Sequence, residues 1–139
     1  MPTVIVAHVA TPMPLASKAG YEALVAALLG EFADAPLYAD ISALALPHRA
    51  GYLKRIAQQK ELHSKLVYGS DFPLPPVPSA FRWRLGENYA EVKAARLWLD
   101  RDVLIKSGLG FEEAVFQRGS VLLKHRIEVA DALAGRLAT

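Results

Sequence analysis

Five side chains stand where short apolar runs give way to polar residues: His8, Asp40, Ser42, Ser70 and Asp71. An imidazole nitrogen and a carboxylate oxygen from two such positions can share a divalent metal. Either group can instead serve as a general base. Each also has a plainer reading. A lone histidine in an apolar strand is more often a hydrogen-bonded core residue, and Asp71, just ahead of Phe72-Pro73, can open a loop through an Asx-turn. Asp40 followed by Ser42 is read as capping strand-end backbone groups. His48, His63 and His125 fall on or beside predicted helices and are expected at the surface. Arg82-Trp83-Arg84 is a single basic–aromatic triplet without a basic face, so loop packing is expected of it rather than nucleic-acid binding. No GxGxxG, P-loop, HExxH or GxSxG pattern occurs, so nothing points to dinucleotides or nucleoside triphosphates.

The elements that position these residues follow from periodicity. Thr3 to Val9, Leu37 to Ser42 and Leu66 to Asp71 are short runs rich in β-formers. The first is almost continuously apolar, which predicts a strand buried on both faces of a parallel sheet. Between the first two runs, Tyr21, Leu24, Val25, Leu28, Leu29 and Phe32 recur at steps of three and four, the stripe of an amphipathic helix. Ser17 is its expected N-cap, and Ala35-Pro36 its stop. A weaker pattern from Tyr52, Leu53 and Ile56, anchored later only by Leu62, predicts an exposed outer helix. Strand, helix, strand, helix, strand implies βαβ units and a parallel sheet, with strand starts about 30 residues apart. In such sheets the functional residues sit at the carboxyl ends of the strands and in the loops just after them, which is where the five side chains lie.

Beyond Asp71 the texture changes. Phe72-Pro73-Leu74-Pro75-Pro76-Val77-Pro78 cannot be regular helix or central strand, because proline lacks the donor that both require. A long irregular segment is expected there, pinned to the body by Phe81, Trp83, Tyr89 and Trp98. Helix is predicted from Asp100 to Ser107, broken at Gly108 and Gly110, and restarting at Glu112. Val115, Phe116, Leu122 and Leu123 then share a face that extends to Ile127, Leu133 and Leu137.

Composition narrows the function classes. The chain has 139 residues, 53% of them hydrophobic, and no cysteine. That is the size of one domain, about 100–150 residues, and residues 1–139 are read as a single domain. Disulfide scaffolds and thiolate metal sites are excluded. No apolar run approaches the roughly 20 residues of a membrane span. A formal charge of +2 gives no argument for nucleic acid. The early apolar run lacks the basic flank of a signal peptide, so a cytoplasmic location is expected.

Taken together and in order, Val-Ile-Val-Ala-His-Val-Ala-Thr (4–11), Leu-Tyr-Ala-Asp-Ile-Ser-Ala-Leu (37–44) and Leu-Val-Tyr-Gly-Ser-Asp-Phe-Pro (66–73) resemble the amidohydrolase superfamily. The closest likeness is to its amidohydrolase-related, predicted metal-dependent hydrolases of TIM-barrel fold. Asp100 through Phe111 and Val115 through Leu123 are similar to the carboxyl-terminal end of those proteins. The resemblance implies a partial (β/α) barrel: three parallel strands corresponding to the sixth, seventh and eighth, then a long proline-rich loop and terminal helices.

The resemblance also implies roles. His8 matches the metal-linked sixth-strand histidine, which ligates metal or orients and polarises the reacting groups. Asp71 matches the aspartate closing the eighth strand, which binds metal or takes a proton from the attacking water. Asp40 matches a seventh-strand position. The implied cofactor is a divalent metal, zinc or manganese, which makes hydroxide available near neutral pH; the implied substrate is a small molecule. Departures are as informative. The first-strand His-x-His pair, the fourth-strand ligand and the fifth-strand histidine have no counterpart, and a complete barrel needs about 250 residues. The expectation is therefore a hydrolase site completed by self-association or by a chain supplying the missing strands. The alternative is a non-catalytic barrel remnant acting as a small α/β binding or interaction module.

Overall fold

A computed structural model describes residues 2–124. Strand β1 (Val4–Val6) leads through a helical turn at Ala7–Ala10 to helix α1 (Ala19–Leu29), and strand β2 (Leu37–Asp40) leads to helix α2 (Ala50–Gln58). A 3₁₀ segment over Lys60–Lys65 feeds strand β3 (Leu66–Val67). Helices α3 (Arg82–Leu85), α4 (Tyr89–Ala94) and α5 (Trp98–Gly108) follow. A further helix, α6, covers 113–124, where the described residues end. His125, Ile127, Leu133 and Leu137 lie outside the described residues.

The sheet is three-stranded and parallel, in the order β1-β2-β3. Val6 pairs with Ala39, and Ala39 with Leu66, so the carboxyl ends of the strands share one side of the fold. The class is mixed α/β, as the alternation of patterns implies. One core joins the layers: Leu28 of α1, Leu53 and Ile56 of α2, Ile41 and Leu44 after β2, Leu66, Phe81, Ile105 and Val115 are all fully buried.

Several expectations are corrected. β1 is not buried on both faces; Val4 and Ile5 remain 40% and 45% exposed. The reason is topological, since β1 is an edge strand with only β2 beside it. An apolar run shows that burial is favourable, but it takes a neighbour to provide it. α2 is not an outer helix: Ala50, Leu53, Ile56 and Ala57 are buried along one face. The segment after the prolines is largely helical rather than irregular, because helical turns at Pro78–Phe81 and Gly86–Asn88 bracket α3 and lead into α4. Phe81 pins it from the core and Tyr89 is half-buried, but Trp83 and Trp98 are exposed. Ser17 does serve the start of α1, its hydroxyl accepting the Ala19 N–H at 3.2 Å.

The outer edge of β3 is sealed from within. The Tyr68 N–H donates to the Val115 carbonyl at 2.9 Å. The Arg118 guanidinium donates to the Leu66 carbonyl and, at 2.8 Å, to that of His63. α6 thus does for β3 what a further strand would otherwise do.

Candidate functional site

β1 and β2 run parallel and in register, so the residues that follow them emerge side by side. After Val6 the backbone turns left-handed at His8, Val9 and Ala10, with φ of 55°, 51° and 50°. This conformation costs an L-residue roughly 1–2 kcal/mol, so something must hold it. His8 is held at each end of its backbone. Its N–H donates to Asp40 Oδ1 at 2.9 Å. Its carbonyl accepts both the Thr11 N–H at 2.9 Å and the Thr11 hydroxyl at 2.8 Å.

The ring is fixed as well. His8 Nδ1 lies 2.7 Å from Ser42 Oγ and 3.7 Å from Asp40 Oδ1. The same Oδ1 accepts the Ser42 N–H at 3.0 Å and the Ser42 hydroxyl. Asp40 therefore caps strand-end backbone, as its spacing suggests, and in doing so ties the ends of β1 and β2 into one cluster. Ser42 is buried, whereas His8 and Asp40 keep 29% and 22% of their side-chain surface exposed. A solute can reach the imidazole while its partners stay fixed.

Asp71 lies past the carboxyl end of β3, half-buried and also left-handed, with φ of 63°. The turn beside it does not use its carboxylate. Ser70 Oγ accepts the Phe72 N–H at 3.2 Å, and the Asp71 carbonyl accepts the Leu74 N–H at 3.0 Å. Among the described residues the Asp71 carboxylate takes no hydrogen bond, so the Asx-turn reading does not hold. No hydrogen bond or ion pair joins Asp71 to His8 among the described residues.

A charged pair that sequence reasoning missed sits behind both. Lys106 Nζ is fully buried, 2.6 Å from Asp102 Oδ2, and donates to the Gly69 carbonyl at 2.8 Å. It also lies 4.9 Å from the centre of the Tyr68 ring. Burial pushes the Lys106 ammonium below its ordinary value, opposed by the charges of Asp102, Asp40 and Asp71. Burial likewise pushes the Asp102 carboxyl up, opposed by Lys106. Through the Gly69 carbonyl, Lys106 anchors the backbone two residues before Asp71. The available signal was the i, i+4 spacing of Asp102 and Lys106 on a predicted helix.

His63 corrects its surface assignment. It is fully buried, stacked on Phe111 at 5.0 Å, with Nε2 3.2 Å from the Ile56 carbonyl and Nδ1 accepting the Glu112 N–H at 3.4 Å. His48 is exposed, as expected.

The metal implied by the resemblance meets a shortfall. A catalytic zinc site takes three protein ligands. Among the described residues no group of three or more His, Cys, Asp or Glu is placed to hold an ion. His8 and Asp71 do not by themselves make such a centre. No described helix is long and apolar enough to cross a membrane. No protein-family model, curated protein or solved structure matches this chain.

Proposed function

We propose that this chain supplies the carboxyl-terminal part of a hydrolytic site of α/β-barrel type that acts on a small molecule. The observation that carries the reading concerns the two residues singled out by type and position. His8 and Asp71 both lie past the carboxyl ends of parallel strands, and both are held in left-handed backbone conformations. Such strain costs about 1–3 kcal/mol per residue and persists where the surroundings enforce it, commonly at working sites. In this reading the uncommitted Asp71 carboxylate accepts a proton from the attacking water, and the anchored His8 imidazole orients the reacting groups or would hold the metal. A zinc or manganese ion would take these two residues as part of its ligand set, with the remaining ligands coming from outside the described residues. Completion falls to a second copy or to a chain bearing the missing strands, and the exposed edge at β1 is the place for it. A cytoplasmic setting fits the same reading.

A second reading is favoured by a separate observation. The donor set is short, and the β3 edge is closed by α6 through Arg118 and Val115. Those features suit a small α/β module that binds a ligand or partner without catalysis.

The test uses the protein purified undenatured from its own cells, so that any completing chain is retained. Hydrolysis of ester, lactone and amide panels is measured with zinc or manganese supplied, for wild type, His8→Ala and Asp71→Asn. Turnover that both substitutions abolish supports the hydrolase. Metal-free, inactive protein that is indifferent to both substitutions supports the module.

A further inference from the structure

We propose that Asp40 and Ser42 are positioning residues that hold His8 as its Nδ1–H tautomer and leave Nε2 as the proton-accepting nitrogen. The inference rests on reading His8 as a working residue, and it makes a claim about the imidazole that can be checked without any substrate.

Ser42 Oγ has a single hydrogen, and it is spent on Asp40 Oδ1. That oxygen also collects the N–H groups of His8 and Ser42, so the carboxylate acts as acceptor toward every neighbour. With its hydrogen spent, the hydroxyl can meet His8 Nδ1, 2.7 Å away, only by accepting. A neutral imidazole carries one N–H, so Nδ1 must be the protonated nitrogen and Nε2 the one with the free lone pair. Second-partner bonds of this kind choose which nitrogen of a histidine is left to act.

Two further features keep the arrangement from relaxing. Ser42 is buried, so water does not compete readily for its hydroxyl. Gly69 closes over it: a methyl group there would stand 3.0 Å from Ser42 Cβ and 3.6 Å from Oγ. The His8 backbone is meanwhile tethered at its N–H by Asp40 and at its carbonyl by Thr11, which fixes the point from which the ring reaches Ser42.

The test is long-range proton–nitrogen correlation spectroscopy of the whole chain with isotope-labelled histidine, followed over pH until the rings are neutral. His8 is assigned by the resonance lost in His8→Gln. The expected wild-type result is a pyrrole-type Nδ1 and a pyridine-type Nε2. Ser42→Ala shifts the ring towards the Nε2–H form that free histidine favours, and Ser42→Thr, which keeps a hydroxyl, retains the Nδ1–H form. His63 is the internal reference for folding, because its Nε2 faces a carbonyl and must carry the proton. Nε2–H on His8 in the wild type overturns the proposal, as does a Ser42→Ala spectrum identical to wild type. Absence of any hydrolytic activity alongside an Nδ1–H His8 sinks the hydrolase reading while leaving this one intact.

Discussion

Ser42 packs where a side chain on Gly69 would go: a methyl group on Gly69 would stand 3.0 Å from Ser42 Cβ, tighter than ordinary packing, and 3.8 Å from Asp40 Cβ. Gly69→Ala therefore pushes on Ser42, one of the two residues that hold His8, and leaves Asp40 at ordinary contact distance. Over-packing of this kind costs about 1–3 kcal/mol, and denaturant unfolding should register it. The control is Gly51→Ala in α2, where nothing lies within 4 Å and the backbone is helical. That change should stabilise by about 0.5–1 kcal/mol. Equal effects at the two positions would show that the Ser42 contact carries no weight.

Lys106 and Asp102 form the buried pair beneath the site. Lys106→Met strands the Asp102 carboxylate and removes the donor to the Gly69 carbonyl. Breaking one side of a buried pair costs about 3–5 kcal/mol, whereas replacing both sides by apolar residues is often nearly neutral. The double variant Asp102→Leu/Lys106→Met should therefore recover most of the stability lost by Lys106→Met alone. A double-mutant cycle by urea unfolding that shows simple additivity would remove the pair from the account.

His63 makes the fold sensitive to acid. Burial, opposed by the Ile56 carbonyl and Glu112 and reinforced by the charge of Lys60, holds its imidazole below the ordinary value of 6.5. Protonation is thus harder in the folded chain than in the unfolded one. The neutral ring's contribution is fully present above the unfolded value, near pH 6.5, and is lost as pH falls towards the lower folded value. Melting temperature should fall through that window in wild type and change much less in His63→Phe, which keeps the stack on Phe111. Parallel pH profiles for the two proteins would contradict this assignment.

Much of the candidate site was legible because strand ends are legible. His8, Asp40, Ser42 and Asp71 each follow a β-rich apolar run, and a parallel sheet must deliver those ends to one side. What the sequence could not show was partnership at long range. His63 looks like a surface histidine until Ile56 and Glu112, which is 49 residues away in the chain, satisfy its two nitrogens. The helices after the proline run were hidden for another reason. Trp83, Arg84 and Glu87 offer no apolar stripe, and those short turns are held by Phe81, Leu85 and Val92 reaching the core. The left-handed turn at His8 to Ala10 contains no glycine to announce it.

Arg118 replaces a neighbouring strand at the edge of β3 by donating to the carbonyls of His63 and Leu66. Arg118→Met leaves both carbonyls without that donor, a loss of about 1–3 kcal/mol. It also reopens the edge, so self-association in light scattering should rise relative to wild type. Both bonds leave a single nitrogen, Nη1, so Arg118→Lys, whose ammonium carries three N–H donors, should restore part of the loss. An Arg118→Met chain as stable and as monodisperse as wild type would show that α6 closes the edge without it.

The central claim is that His8 and Asp71 belong to one hydrolytic site, and the most direct measurement is turnover by the assembled protein. Wild type, His8→Ala and Asp71→Asn, each purified undenatured from its own cells and supplied with zinc or manganese, are compared on the ester, lactone and amide panels. The account predicts hydrolysis by wild type, with losses of about 100-fold or more in each variant, the usual scale for removing a general acid–base group. Equal turnover in all three, or no turnover from a folded wild-type assembly, would contradict it.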